Sequence, residues 1–152
     1  MELEHVFRDH QKAVYVYFLR LVGDTHQAEE LTQETFYRAC ISAFRFRGDS
    51  SVTTWLFGIA HRVFLEFVRS RRTEAGGELP DLARRDAEPE ARIDLERAFA
   101  GLSHGDREVL MLVDLLGFAG PDAAEALGIE QSALRVRGHR ARARLREEMG
   151  RE

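Results

Sequence analysis

Cysteine is almost absent from this sequence. Cys40 is the single example, which excludes an internal disulfide and any multi-cysteine metal site and is read as a small helix-packing residue. Lysine is equally scarce, since Lys12 stands alone among arginines. No apolar run approaches the ~20 residues that a membrane-spanning helix needs, so no membrane insertion is expected. The opening Met-Glu-Leu-Glu has no basic stretch leading into an apolar one, so no secretory signal is read and a cytoplasmic location is expected. The period-two alternation of strands is nearly missing as well. The six histidines have no metal-ligand spacing, and no Ser-His-acid or Cys-His pattern has support. Neither a metal, a cofactor nor a catalytic centre is expected.

What is present is the balance of a soluble globular chain, 44% apolar and 32% charged residues. A length of 152 residues allows one ordinary domain or two small ones with limited cores. The formal net charge of −4 argues weakly against a nucleic-acid partner, but its distribution argues the other way. Residues 1–72 are near neutral, 73–98 hold eight acidic against four basic groups, and 131–146 hold six arginines with no acid. Positive charge is therefore concentrated where a reader of DNA would need it.

Helical spacing recurs along the chain and predicts an all-α fold. Phe7, Val14, Phe18 and Leu21 share one face of a first helix that Gly23-Asp24 ends. Ala28, Leu31, Thr32, Thr35, Phe36, Ala39 and Ala43 line one side of a second, leaving Glu29, Glu30, Gln33 and Glu34 on the other. A Gly-containing segment from Phe44 to Ser51 interrupts the pattern. Trp55, Leu56, Ile59, Val63 and Phe67 then resume it in a third helix that ends at Arg69–Arg72. Residues 73–91 contain Gly76-Gly77, Pro80, Pro89 and many acids, and are read as a flexible linker. It divides the chain into two small helical domains, 1–72 and 92–152.

The second domain opens with a helix near 92–101. Ser103 and Asp106 form a capping pair ahead of Val109, Leu110, Val113 and Leu116, with Gly117 closing that helix. Pro121 suits a first helical position and Gly128 a left-handed cap, so a short helix, a turn plugged by Ile129 and a long helix from Gln131 to Met149 follow. This is the outline of a helix-turn-helix. On the last helix Leu134, Gly138, Ala141 and Leu145 share a packing face, while Ser132, Arg135, His139, Arg142 and Arg146 lie roughly opposite. Such a cationic face can pair with phosphates or with guanine edges in the major groove. Its plainer reading is a solvated basic helix, which the preceding short helix and turn make the weaker of the two. Arg69, Arg71 and Arg72 suit a helix C-terminus as readily as a phosphate contact. Phe44, Phe46 and Trp55 could stack on unpaired bases, although a single aromatic is more often core.

These residues resemble a known family. Ala28-Glu-Glu-Leu-Thr-Gln-Glu-Thr-Phe36, Phe46-Arg-Gly-Asp-Ser-Ser51, Thr54-Trp-Leu-Phe-Gly-Ile-Ala60 and the Arg69–Arg72 run are similar to region 2 of the extracytoplasmic-function (ECF) sigma factors. Asp106-Arg-Glu-Val-Leu110, Ala124-Glu-Ala-Leu-Gly-Ile129 and His139-Arg-Ala-Arg-Ala-Arg-Leu145 resemble region 4. The resemblance implies an adaptor, not an enzyme, that directs core RNA polymerase to promoter DNA. It implies that Glu30, Gln33 and Glu34 dock on the β′ clamp coiled coil. It implies that the Phe44–Val52 loop, with Arg47, Gly48, Asp49 and Ser50, receives a flipped base of the minus-10 element, beside Trp55, His61 and Arg62 on the following helix. Arg135, His139 and Arg140 match the positions that read the minus-35 element, and Ser132 and Arg142 share their basic surface. The β flap and an anti-sigma factor are the further partners implied.

Departures from the family pattern carry expectations of their own. Arg62 stands where asparagine is usual and Val136 where serine is, which bears on promoter preference. Ala123 and Gly138 stand where larger apolar residues pack, which predicts a thinly packed region 4. Two other readings fit less of the chain. A helix-turn-helix regulator acting without polymerase has no use for the region 2 features, and a degenerate sigma factor would act mainly through an anti-sigma partner.

Overall fold

The computed structural model describes residues 1–74 and 90–150. Among them are seven α-helices and no strand: α1 (Leu3–Val22), α2 (Thr25–Ser42), α3 (Val52–Glu74), α4 (Glu90–Ala100), α5 (His104–Leu110), α6 (Gly120–Leu127) and α7 (Gln131–Met149). The all-α expectation holds. The expected linker begins and ends in helix, because α3 continues to Glu74 and α4 starts at Glu90. Its interior, 75–89, lies outside the described residues.

The boundaries follow from local chemistry. Gly23 adopts φ 73°, and its N–H closes α1 on the Leu19 carbonyl. Asp24 then caps α2, its carboxylate accepting from the Gln27 N–H at 2.9 Å. Ser51 caps α3 by accepting from the Thr54 N–H at 3.0 Å, and Ser103 caps α5 by accepting from the Asp106 N–H at 3.2 Å. Gly128 at φ 67° ends α6, as its position predicts. One boundary differs from expectation. The helix expected to run to Leu116 widens into a π turn over Met111–Leu115, where the Leu116 N–H reaches back to the Met111 carbonyl at 2.8 Å.

Helices α1–α3 pack around Val14, Tyr17, Phe18, Leu21, Leu56 and Phe64, all buried. Thr32 and Thr35 lie inside this core, and their hydroxyls donate to the Ala28 and Leu31 carbonyls. In the second group of helices Leu102, Val109, Leu110, Met111, Leu127 and Leu134 are buried. The two groups then close on each other, which the domain division did not anticipate. Phe57 of α3 meets Phe118 edge to face at 5.2 Å, and Phe64 meets His104 at 5.5 Å. Where α6 crosses α3, a β-carbon added to Gly58 would lie 3.8 Å from the Ala126 carbonyl, an ordinary van der Waals contact. A single continuous apolar core results.

Polar groups complete the seam. Arg107 is buried and donates to the Leu21 carbonyl at 2.8 Å, satisfying one of the carbonyls left over at the end of α1. Glu108, also buried, accepts from the Tyr17 hydroxyl at 2.5 Å and from His61 Nδ1 at 2.6 Å, both on the same carboxylate oxygen. Burial, reinforced by the adjacent Glu108 charge, pushes the Tyr17 phenol well above its ordinary pKa and keeps it a donor. At the rim Arg20 pairs with Glu96 at 2.8 Å.

The last helix is anchored differently from the expectation of a thin core. Gly138 is buried, and the space beside it is occupied by Arg142, whose guanidinium would lie 3.3–3.6 Å from an added β-carbon. From there Arg142 makes a bidentate pair with Asp114 in the π turn, two bonds of 2.8 Å. Arg144 donates to Asp106 at 2.7 Å. Glycine at 138 therefore makes room for a side chain that ties α7 to the preceding turn.

Two outcomes are expected. Gly138→Leu should force Arg142 away from Asp114 and destabilise the full chain by ~1–3 kcal/mol, as overpacking does; a higher melting midpoint would mean an unfilled gap instead. His104 has its pKa lowered to about 4 by burial, helped by the charges of Arg107 and Arg72. Its Nε2 is buried without a hydrogen-bond partner among the described residues. Because the folded state disfavours the proton, stability should be fully present above the ordinary histidine pKa of about 6.5 and fall as pH drops from there towards 4. In melts across that window the slope should flatten in His104→Gln, and equal slopes would remove the assignment.

Candidate nucleic-acid interface

The acidic surface of α2 is a consequence of its core. With Ala28, Leu31, Thr32, Thr35, Phe36 and Ala39 buried, Glu30 and Gln33 are left exposed and Glu34 half-exposed. Glu30 pairs with the exposed His26 at 2.9 Å. Glu34 accepts from Arg38 Nε at 2.9 Å, and Arg38 also bonds Glu66 of α3, whose carboxyl it holds below its usual pKa. Glu34 is thus partly committed within the fold, whereas Gln33 has a clear outer surface. Sequence reasoning missed the continuation of this face. Tyr37 and Ile41 follow at i+3 and i+4 steps and are 61% and 57% exposed. The signal available was that spacing, since neither residue falls on the apolar side.

Beyond α2 a 3-10 turn, Ala43–Arg45, leads into the loop. The three aromatics separate by role. Phe46 packs on Trp55 with ring centroids 5.2 Å apart, and both are half-buried. Phe44 is 79% exposed, with the Arg45 guanidinium 5.3 Å from its ring centroid. Arg47, Gly48 and Asp49 are exposed and Ser50 is half-exposed, with Gly48 at φ 79° making the reversal that a β-carbon would strain. Beside the loop lies an open recess of about 420 Å³, bordered by His5, Asp9, His10, Ala43, Phe46 and Val52. His10 fixes one wall by donating from Nδ1 to the Val6 carbonyl and pairing through Nε2 with the Thr53 hydroxyl, at 2.9 and 2.8 Å.

On α3 the structure separates two residues grouped by the sequence. Arg62 is exposed, its guanidinium lying back towards Gly58. The His61 side chain is only 15% exposed and is occupied by Glu108. On α7, Ser132, Arg135, Arg137, His139 and Arg140 are exposed, while Leu134, Gly138 and Ala141 are buried as the helical spacing predicts. Arg142 departs from this face. It is half-buried, and the Asp114 carboxylate raises its pKa. Charge on the remaining outer surface of α7 is strongly positive, the disposition needed to meet a polyanion. Among the described residues no group of three or more His, Cys, Asp or Glu side chains is placed to hold a metal ion, and no helix is long and apolar enough to cross a membrane.

Residues 6–74 match the family model for sigma-70 region 2, and residues 92–145 match that for sigma-70 region 4. The ECF RNA polymerase sigma factor SigC of Mycobacterium tuberculosis is 37% identical over 134 residues, covering 82% of this chain and 71% of that protein. SigE of Mycolicibacterium smegmatis is 34% identical over 155 residues, covering 95% and 60%. Among solved structures, the sigma factor RpoE in complex with the anti-sigma factor NepR from Bartonella quintana superposes with a TM-score of 0.83 at 25% identity, over 96% of this chain and 95% of that one. CnrH in complex with the cytosolic domain of CnrY gives 0.73 at 26%, over 95% and 85%. With both regions present in order and the whole arrangement of helices shared, the chain belongs to the ECF sigma factors, the non-catalytic initiation factors that direct RNA polymerase in transcription.

Proposed function

We propose that this sigma factor divides its work among three surfaces. Glu30, Gln33 and Glu34, extended by Tyr37 and Ile41, dock on the β′ clamp of core polymerase. Phe44, Arg47, Gly48, Asp49 and Ser50, with Trp55, His61 and Arg62, open and read the minus-10 element, and the recess beside Phe46 offers a flat wall to an unstacked base. Ser132, Arg135, His139 and Arg140 read the minus-35 element. Arg142 is a positioning residue that fixes α7 through Asp114. The protein acts in the cytoplasm without catalysis of its own, and residues 75–89 join its two domains.

The observation that carries this reading is the exposed cationic face of α7, set on a helix-turn-helix whose chain also carries the polar α2 face. A regulator acting without polymerase would not need the second surface. Core-polymerase binding combined with run-off transcription from a promoter library tests it, and absence of either activity would refute it. The closed arrangement of the helices favours one further partner. It resembles that of the sigma factor RpoE solved with the anti-sigma factor NepR, which supports an anti-sigma factor binding this form.

Two substitutions examine the assignments. Glu30→Lys should weaken core binding by about tenfold at low salt with the helical signal unchanged, and the deficit should shrink as salt rises. Affinity equal to wild type would remove α2 from the interface. Arg135→Ala should cost ~1–3 kcal/mol of promoter affinity with little change in melting. Arg142→Ala should do the reverse, lowering the melting midpoint first; an equal loss of DNA affinity at unchanged stability would return Arg142 to the reading face.

A further inference from the structure

We propose that Val136 is a base-reading residue of α7 and recognises the C5-methyl group of a thymine in the major groove of the promoter's upstream element. The inference rests on the proposed DNA-reading role of α7 and deepens it. Val136 is an apolar side chain left 48% exposed on a stretch of helix whose other exposed residues are Ser132, Arg135, Arg137, His139 and Arg140. Leu134, Gly138 and Ala141 face the fold, and at about 100° per residue Val136 falls roughly opposite their mean direction. Ser132 and His139 lie one turn before and after it, and Arg135 and Arg140 lie on its two sides. Val136 therefore sits at the centre of the exposed face, on the ridge that goes deepest when a helix enters a groove.

That position decides what the side chain can do. Arginines at the margins reach out to phosphates or down to guanine O6 and N7. A valine between them has neither donor nor acceptor, so it discriminates by apolar contact alone. Thymine is the base that shows an apolar group on its major-groove edge; the others show amino donors or ring-nitrogen and carbonyl acceptors. Against thymine, Val136 buries methyl on methyl. Against cytosine the same approach takes the N4 amine out of water with nothing to accept from it, and against guanine it does so to O6 and N7. Branching at the β-carbon adds to the effect, because valine in a helix keeps essentially one rotamer and has little freedom to lose on contact. On an exposed helix face valine is also a poorer helix former than alanine, a disadvantage that no burial within the fold offsets here.

Replacing thymine by deoxyuridine removes the methyl and leaves every hydrogen-bonding group in place. The full-length protein with core polymerase is bound to promoter duplexes recovered from the run-off library, each thymine of the upstream element being replaced singly by deoxyuridine. At one position the replacement should weaken binding by about three- to fivefold, the order expected for one buried methyl group. Val136→Ser should bind the unmodified promoter more weakly by a similar factor, keep the wild-type melting midpoint, and show no further loss on deoxyuridine at that position. Such non-additivity separates a direct contact from a change in duplex stiffness, which would affect both proteins alike. Loss at no position, the full loss retained in Val136→Ser, or an upstream element without thymine would overturn the proposal. If scrambling the whole upstream element leaves binding unchanged, the reading role of α7 fails and the valine contact with it. If scrambling abolishes binding while deoxyuridine is neutral throughout, the valine contact alone is refuted.

Discussion

The buried carboxylate of Glu108 is the constraint around which the two halves of the molecule are arranged. An ionised group removed from water is tolerable only when its hydrogen bonds are replaced, and here both replacements come from the other half, Tyr17 on α1 and His61 on α3. That requirement fixes how α5 sits against α1 and α3. Arg107, one residue earlier on the same helix, donates to the Leu21 carbonyl at the end of α1. Once these two are set, the edge-to-face contacts of Phe57 with Phe118 and of Phe64 with His104 follow along the same seam.

Size gives the reason for such a seam. A helical domain of roughly 60–70 residues buries a modest fraction of its surface, and two of them in one chain gain by burying more against each other. The cost falls on function, because apolar and polar atoms spent on closure are withdrawn from surfaces meant for partners. The structure limits that cost to one edge. The polar face of α2, the Phe44 loop and the cationic side of α7 all point outward, and only His61 among the residues assigned to DNA is consumed by the seam.

Much of this was legible in the sequence because it depends on local periodicity. Turn glycines at 23 and 128, the cap at Ser103, the buried row of α2 and the packing stripe of α7 all follow from spacing within one helix. What the sequence left hidden depends on contacts between residues far apart. His61 and Glu108 are separated by 47 positions, and Arg142 and Asp114 by 28. A helical wheel assigns Arg142 to the outer face, but an arginine is long enough to fold back over a neighbouring glycine. The π turn at Met111–Leu115 was equally invisible, being a register change within an ordinary helical pattern.

Of the small residues that looked like losses of packing, Gly138 has a physical explanation in the guanidinium that rests beside it. Ala126 of α6 meets α3 at Gly58, where a β-carbon would make only ordinary contact. Ala123, with no exposed surface at all, belongs to the same small-residue row of α6 as Ala124 and Ala126. Stabilisation held in a contact between two groups of helices can be lost without unfolding either group, as stabilisation held in the interior of one group cannot.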